Sequence, residues 1–171
     1  MANEESNQPP PSEDPQRAAM RAAAKRIDRV TDWLHVGGAL PPEEYGRLRD
    51  AGINHVVDLR EEAAADTARL KELGILQRHV PVPNQSPPTI EQLSDVANWL
   101  SDQPRATVYV HCQGGFGRAA TMAVGLLVFH GAAVDDAVEQ ARKVRPEIRL
   151  NAKQMAWLRF VAMQRSRSGP K

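Results

Sequence analysis

Short runs of β-branched and other apolar residues, each bounded by turn signals, mark the strands of this chain. "INHVVDL" at 53–59, "ILQRHVPV" at 75–82 and "ATVYVHC" at 106–112 each predict a buried strand, and "DWLHVGGAL" predicts a shorter one closed by Gly37 and Gly38. Helical stretches lie between them. "PQRAAMRAAAKRIDRV" predicts a helix because Ala, Arg and Met are good helix formers and no breaker follows Pro15. "PPEEYGRLRDAG" and "EEAAADTARLKELG" predict helices stopped at Gly52 and Gly74. "NQSPP" is a loop, and Thr89 and Gln92 have capping-box spacing for a helix to about Ser101. A nearly all-apolar helix over Arg118 to His130 should be central, with two further helices in "AVDDAVEQARKV" and "AKQMAWLRFVAMQ". Strands alternate with helices, so the expected class is α/β: one domain, a mostly parallel central sheet of about four or five strands, and helices on both faces. Such sheets bind ligands beyond the carboxyl ends of their strands.

Composition sharpens this picture at the ends of the chain. With 171 residues, 42% of them hydrophobic, one domain can bury a sizeable core without disulfides or metal. Residues 1–16, "MANEESNQPPPSEDPQ", are acidic and Pro-rich and bury too little apolar surface to offset their ordering entropy, so a disordered tail is expected there. The domain then spans 17–164, with a basic disordered tail over 165–171. Removing the four acids of the first tail leaves 17 acidic against 22 basic residues, a mild excess that hints at anionic ligands. The first residues show no signal-peptide pattern, and "MAVGLLVF" from Met122 is too short to span a bilayer, so a cytoplasmic protein without membrane insertion is expected.

The single cysteine, Cys112, excludes an internal disulfide and a thiolate-rich zinc site, leaving a reactive thiol or an inert buried one. Its surroundings favour the first. In "HCQGGFGR" Cys112 ends a predicted strand, Gly114, Gly115 and Gly117 follow, and Arg118 opens a helix. Glycines let successive N–H groups aim inward and a helix amino end adds positive potential, so the loop suits a phosphate dianion. Arg118 would add a planar two-pronged contact. The same field stabilises a thiolate placed under the bound phosphorus for in-line attack.

This motif, His-Cys, five residues, Arg, resembles the phosphate loop of the cysteine-dependent protein tyrosine phosphatase superfamily, and of its small atypical dual-specificity phosphatases in particular. The similarity runs from "WLHVGGAL" through "VVDLREE", "VPVPNQSPPTIEQL" and the loop to "VRPEIRL". The resemblance implies that Cys112 is the nucleophile forming phosphocysteine, that Arg118 binds phosphate, and that His111 orders the loop; a merely packed strand-end histidine is the plainer alternative. It implies that the amides of Gln113, Gly114, Gly115, Phe116 and Gly117 bind the remaining oxygens, with no metal or cofactor. Phe116 could equally pack under the loop.

Two departures weaken the hydrolytic half. Members of this superfamily place an aspartate general acid about where Asn84 stands here, and an amide neither donates nor takes up the required proton, a loss of roughly 10²–10⁴-fold. Ala119 replaces the usual Ser or Thr after the arginine, and Thr121 lies on another side of the helix. Asp58, at the ligand end of its strand, is a candidate substitute acid, whereas Glu61 and Glu62 read more simply as solvated helix-start acids.

The expectation is a slow phosphomonoesterase acting on a phosphorylated protein or a small phosphomonoester, with aryl esters favoured. A non-catalytic phospho-ligand binder and a lipid phosphatase are the alternatives. "KRIDR" and "RSRSGPK" are scattered charges without interleaved aromatics, so no nucleic-acid partner is expected. The histidines at 35, 55, 79 and 130 lack metal-ligand spacing. A reactive thiolate without a second cysteine would be oxidised reversibly only as a sulfenamide or mixed disulfide.

Overall fold

A computed structural model describes residues 13–63 and 66–168. The predicted apolar runs become β2 (Leu34–Gly37), β3 (His55–Arg60), β4 (Leu76–Val82) and β5 (Val108–His111), to which the edge strand β1 (Ile27–Arg29) is added. Their order is β1-β2-β5-β3-β4, with β1 antiparallel and the other pairings parallel. The helices are α1 (Pro15–Ala24), α2 (Gly46–Asp50), α3 (Thr67–Glu72), α4 (Ile90–Ser101), α5 (Arg118–Phe129), α6 (Val134–Val144) and α7 (Ala152–Ser168), with a 3₁₀ turn at Pro42–Glu44. The fold is the expected α/β class.

Strand alternation divides the core. Val57 and Leu59 of β3 and Val108 and Val110 of β5 face a large cluster with Leu93 and Val96 of α4, the interior of α5, Ala137 and Val138 of α6, and Leu158 of α7. Val56 and Tyr109 face the other way, onto Leu48 of α2, Leu70 of α3, Ile53 and Ile75. Helices therefore cover both faces, and α5, buried from Arg118 through Val128, lies in the larger layer. Thr89 and Gln92 form the predicted capping box at the start of α4.

Four boundaries differ from the sequence reading. The first helix stops at Ala24 instead of continuing to Val30, because Ile27–Arg29 pairs with Gly37–His35 across the sheet edge, and those ladder bonds outweigh the local helical preference. The third helix begins at Thr67, where Asp66 accepts the Arg69 N–H as its cap, and Glu61–Ala63 is irregular. At the ends, Asp14 caps α1 from the Gln16 N–H and α7 continues through Ser168, so helix reaches into both segments read as tails; residues 1–12 and 169–171 lie outside the described residues.

The parallel register brings the carboxyl ends of β2, β5, β3 and β4 to one edge. Gly37 is opposite His111, and His111 is opposite Asp58. The strand order turns at β5, so the crevice for a ligand opens directly beyond Cys112.

Candidate active site

Cys112 is 4% exposed at the floor of a cleft of about 620 Å³ that also includes Asn84, Gln113, Gly117 and Arg118. Its Sγ accepts the Gly115 N–H at 3.2 Å, the type of contact that stabilises negative charge on sulfur. The loop can approach the sulfur because Gly115 has φ +77°, and a Cβ there would sit 2.2 Å from the Gly37 carbonyl carbon. Gly38 is equally confined: a Cβ would meet the Ala24 oxygen at 2.5 Å and the Gln113 oxygen at 2.7 Å. The Ala39 N–H donates to Gln113 O at 3.0 Å, and the Tyr109 hydroxyl donates to Gly38 O at 2.7 Å. The glycines read as closing a strand thus also form the seat of the phosphate loop.

Arg145 holds the loop from below. It is fully buried; its Nε and Nη2 donate to the carbonyls of Gly115 (2.9 Å) and Gly114 (2.8 Å), and its Nη1 donates to Asp28 Oδ2 (2.8 Å). Carbonyls drawn to one side of a tight loop leave its N–H groups free to converge on the other. The guanidinium also lies 4.9 Å from the Phe116 ring centroid. Arg26 completes the brace by pairing with both Asp28 and Glu147, and its hydrogen bonds hold the Glu147 carboxyl down at about 2. The sequence reading did not single out Arg145. Its only signal was an arginine in "VRPEIRL", thirty residues beyond the loop it supports.

Arg118, 4% exposed, takes the carboxylate of Glu62 end-on, with Nη1 and Nη2 donating at 2.8 and 2.7 Å, while Nη1 also donates to Val82 O at 3.1 Å. Its Nε has no protein acceptor among the described residues, so a lateral edge of the guanidinium is left open. The Arg118 hydrogen bonds lower the Glu62 carboxyl to about 2. Glu62 keeps an exposed side chain, as expected of a solvated acid, but it also lines the cleft and pairs with Arg118.

His111 is buried, its Nδ1 3.2 Å from the Cys112 carbonyl oxygen and its Nε2 3.9 Å from Asp58 Oδ2. Since that carbonyl can only accept, Nδ1 carries the proton. Burial holds the imidazole below its usual range against the opposing pull of Asp58. The ring thus ties the strand end to the loop.

Asp58, read as a candidate acid, does not reach the cleft. It is fully buried, and Arg60 donates to it from its backbone N–H (3.0 Å), Nε (3.0 Å) and Nη2 (2.8 Å). Burial pushes its carboxyl up, but the Arg60 hydrogen bonds and nearby His111 bring it below the ordinary value. The register irregularity between Asp58 and Arg60 accompanies this local pairing. A carboxylate held in this way has no spare proton and no path to the leaving group.

Asn84 does stand at the cleft. Its Oδ1 accepts the Gln85 N–H at 3.0 Å, Gln85 has φ +62°, and the turn is latched to α7 where Asn151 Nδ2 donates to Gln85 O at 2.8 Å. On the other side of the cysteine, Ala119 is buried, and the Thr121 hydroxyl donates to Gly117 O at 2.8 Å, which occupies its proton.

Residues 40–170 match the family model described as PTP-SAK, Swiss Army Knife protein, DSP-PTPase phosphatase domain. The chain belongs to this family. It is similar to the phosphatidylglycerophosphate phosphatase PTPMT2 of Arabidopsis thaliana, 25% identical over 133 residues that cover 74% of this chain. It is also similar to the protein tyrosine phosphatase type IVA 3 of Bos taurus, 32% identical over 104 residues that cover 57% of this chain. The chain spans 58% of the length of each of these curated relatives. In fold it resembles the crystal structure of PTPMT1, with a TM-score of 0.76 at 24% identity over 84% of this chain and 98% of that one. The expected resemblance to small dual-specificity phosphatases of the cysteine-dependent superfamily is borne out. No helix among the described residues is long and apolar enough to cross a membrane.

Proposed function

We propose that this protein hydrolyses phosphomonoesters through a phosphocysteine intermediate and turns over slowly. The observation that carries the reading is the division of labour in the cleft. Cys112 and Arg118 share a braced anion cradle, while Glu62, the carboxylate lining that cleft, is kept ionised by Arg118.

In the first step the Cys112 thiolate attacks phosphorus in line, an S–P bond forms, and the ester oxygen leaves with the bonding pair. Loop amides and the Arg118 guanidinium receive the charge spread over the equatorial oxygens. Asn84 supplies no proton, so the leaving oxygen departs as an anion or takes its proton from water, which penalises alkyl esters most. In the second step water attacks the phosphocysteine, releasing phosphate and restoring the thiolate. Neither Asn84 nor Ala119 assists. Aryl esters such as phosphotyrosine in a phosphorylated protein, or a small aryl phosphate, therefore suit the site. The named activities of the two curated relatives, on a lipid phosphate and on tyrosine phosphate, both fall within phosphomonoester chemistry.

Rapid-quench release of p-nitrophenol from p-nitrophenyl phosphate tests the reading. The expected trace is a burst of about one product per Cys112, followed by a slower steady state, with no burst in Cys112→Ser. Equal and rapid turnover of p-nitrophenyl and phenyl phosphate would show that another acid acts. Absence of any Cys112-dependent product would point to a non-catalytic binder.

A further inference from the structure

Resting on the reading of Cys112 as the nucleophile, we infer that Asp58 is a positioning residue of this site: fixed by Arg60, its carboxylate receives a second proton carried by His111, and the charged ring keeps Cys112 a thiolate in mildly acidic solution.

Four residues form a line across two strand ends. Asp58 and His111 are register partners at the carboxyl ends of β3 and β5. The Arg60 bonds divide unequally between the two oxygens of Asp58. Oδ1 accepts the Arg60 backbone N–H and Nε, whereas Oδ2 accepts one bond, from Nη2, among the described residues, and Oδ2 lies 3.9 Å from His111 Nε2. The freer oxygen therefore faces the ring. On the ring's other side Nδ1 donates to the Cys112 carbonyl. Each nitrogen thus faces an acceptor, and an imidazole can donate from both nitrogens only when it holds two protons.

The surroundings of the ring decide whether the second proton can be held. Burial opposes it most; Asp58 on β3 favours it, Arg60 opposes it, the Cys112 carbonyl favours it, and His79 on β4 opposes it. The Tyr109 ring, stacked on His111 at 5.6 Å, stays neutral because burial pushes its hydroxyl further up. Of these groups Asp58 alone is an anion, so without it every charged neighbour would resist protonation of the ring. Arg60 cancels Asp58 at longer range, and the pair therefore adds little negative field at the sulfur, while at close range the ring meets the carboxylate. A doubly protonated ring bonded to the Cys112 carbonyl polarises the peptide that leads into the phosphate loop, and a cation beside a cysteine favours its thiolate.

The test is the pH dependence of Cys112 alkylation by iodoacetamide in the full-length protein. Cys112 lines the cleft, and the reaction reports its thiolate without any turnover. Asp58→Asn/Arg60→Gln removes both charges together and so leaves no lone buried ion. In this variant the ratio of the rate at pH 9 to the rate at pH 5.5 is expected to exceed that of wild type by about five- to tenfold. In a His111→Asn background, where an amide N–H still serves the Cys112 carbonyl, the same two changes should leave the ratio within about twofold. A ratio unmoved by Asp58→Asn/Arg60→Gln, as when only the Tm falls, would overturn the proposal, and so would a ratio that moves equally with and without His111. Should the variant not fold, the imidazole nitrogen-15 resonances of wild-type His111 decide: a proton arriving at Nε2 between pH 7 and 5 is expected, and a ring still singly protonated at pH 5 would overturn it. Failure of the phosphatase reading appears separately, as wild-type protein with Asp58-dependent alkylation that releases no product from p-nitrophenyl phosphate.

Discussion

The phosphate loop and the Asn84 turn face each other across one cleft and are built to opposite standards. Every part of the loop that must be fixed is fixed, by Gly37 and Gly38 beneath it, by Arg145 on its carbonyls and by Glu62 on Arg118. The Asn84 turn is also latched, through Asn151, but it presents an amide to the cleft, where the proposed hydrolysis calls for a proton donor. On the proposed reading, binding and nucleophilic attack are well provided for and proton transfer is not. On that reading, a cradle for phosphate and a rate of hydrolysis would be separable, because the residues assigned to them lie in segments almost thirty residues apart.

Breaking the stronger side should have the largest effect. Cys112→Ser is expected to lower product release by about 10⁴-fold or more while phosphate binding survives, read by quench kinetics and by titration with inorganic phosphate. Arg145→Met should destabilise the protein by about 3–5 kcal/mol, since Asp28 would lose a buried partner and two loop carbonyls their donor, as measured by urea unfolding. Repairing the weaker side should bring the regions closer together. Asn84→Asp is expected to raise steady-state turnover of phenyl phosphate by about 10²-fold and that of p-nitrophenyl phosphate by less, and an equal gain on both esters would contradict the proton-transfer account. Ala119→Ser should speed phosphocysteine breakdown a few-fold, seen as a faster steady state with an unchanged burst amplitude.

The smallest effect concerns acid. Glu62 and Glu147 have folded values of about 2 against an ordinary 4.5, so their contribution to stability is fully present above that ordinary value and is lost as pH falls through 2. A calorimetric Tm should decline over this window, and more shallowly in Glu62→Gln. A Tm that fell instead between pH 8 and 6 would place the titrating groups elsewhere.

Much of this was legible in the sequence where the chemistry is contiguous. "HCQGGFGR" between an apolar strand and an apolar helix declares strand end, anion loop and helix start in one reading, and the alternating apolar runs declare the parallel sheet. What escaped depends on packing between distant segments. The pairing of the exposed Glu62 with Arg118 was missed because nothing local shows that the arginine faces it across the sheet edge. Asp58 looked available because strand position alone does not reveal that Arg60, two residues on, folds back over it. Arg145 carried no local signature, and β1 was hidden because "IDR" at 27–29 directly follows the helix-favouring "RAAMRAAAKR", while ladder hydrogen bonds with β2 make it a strand.

The family match begins at residue 40, yet Asp28 anchors Arg145 and Gly37 and Gly38 support the loop from positions before it. The structural unit that holds the Cys112 loop is thus longer at its amino end than the stretch matched by the family model. A chain trimmed to 40–170 would keep Cys112 and Arg118 and lose the footing on which they stand.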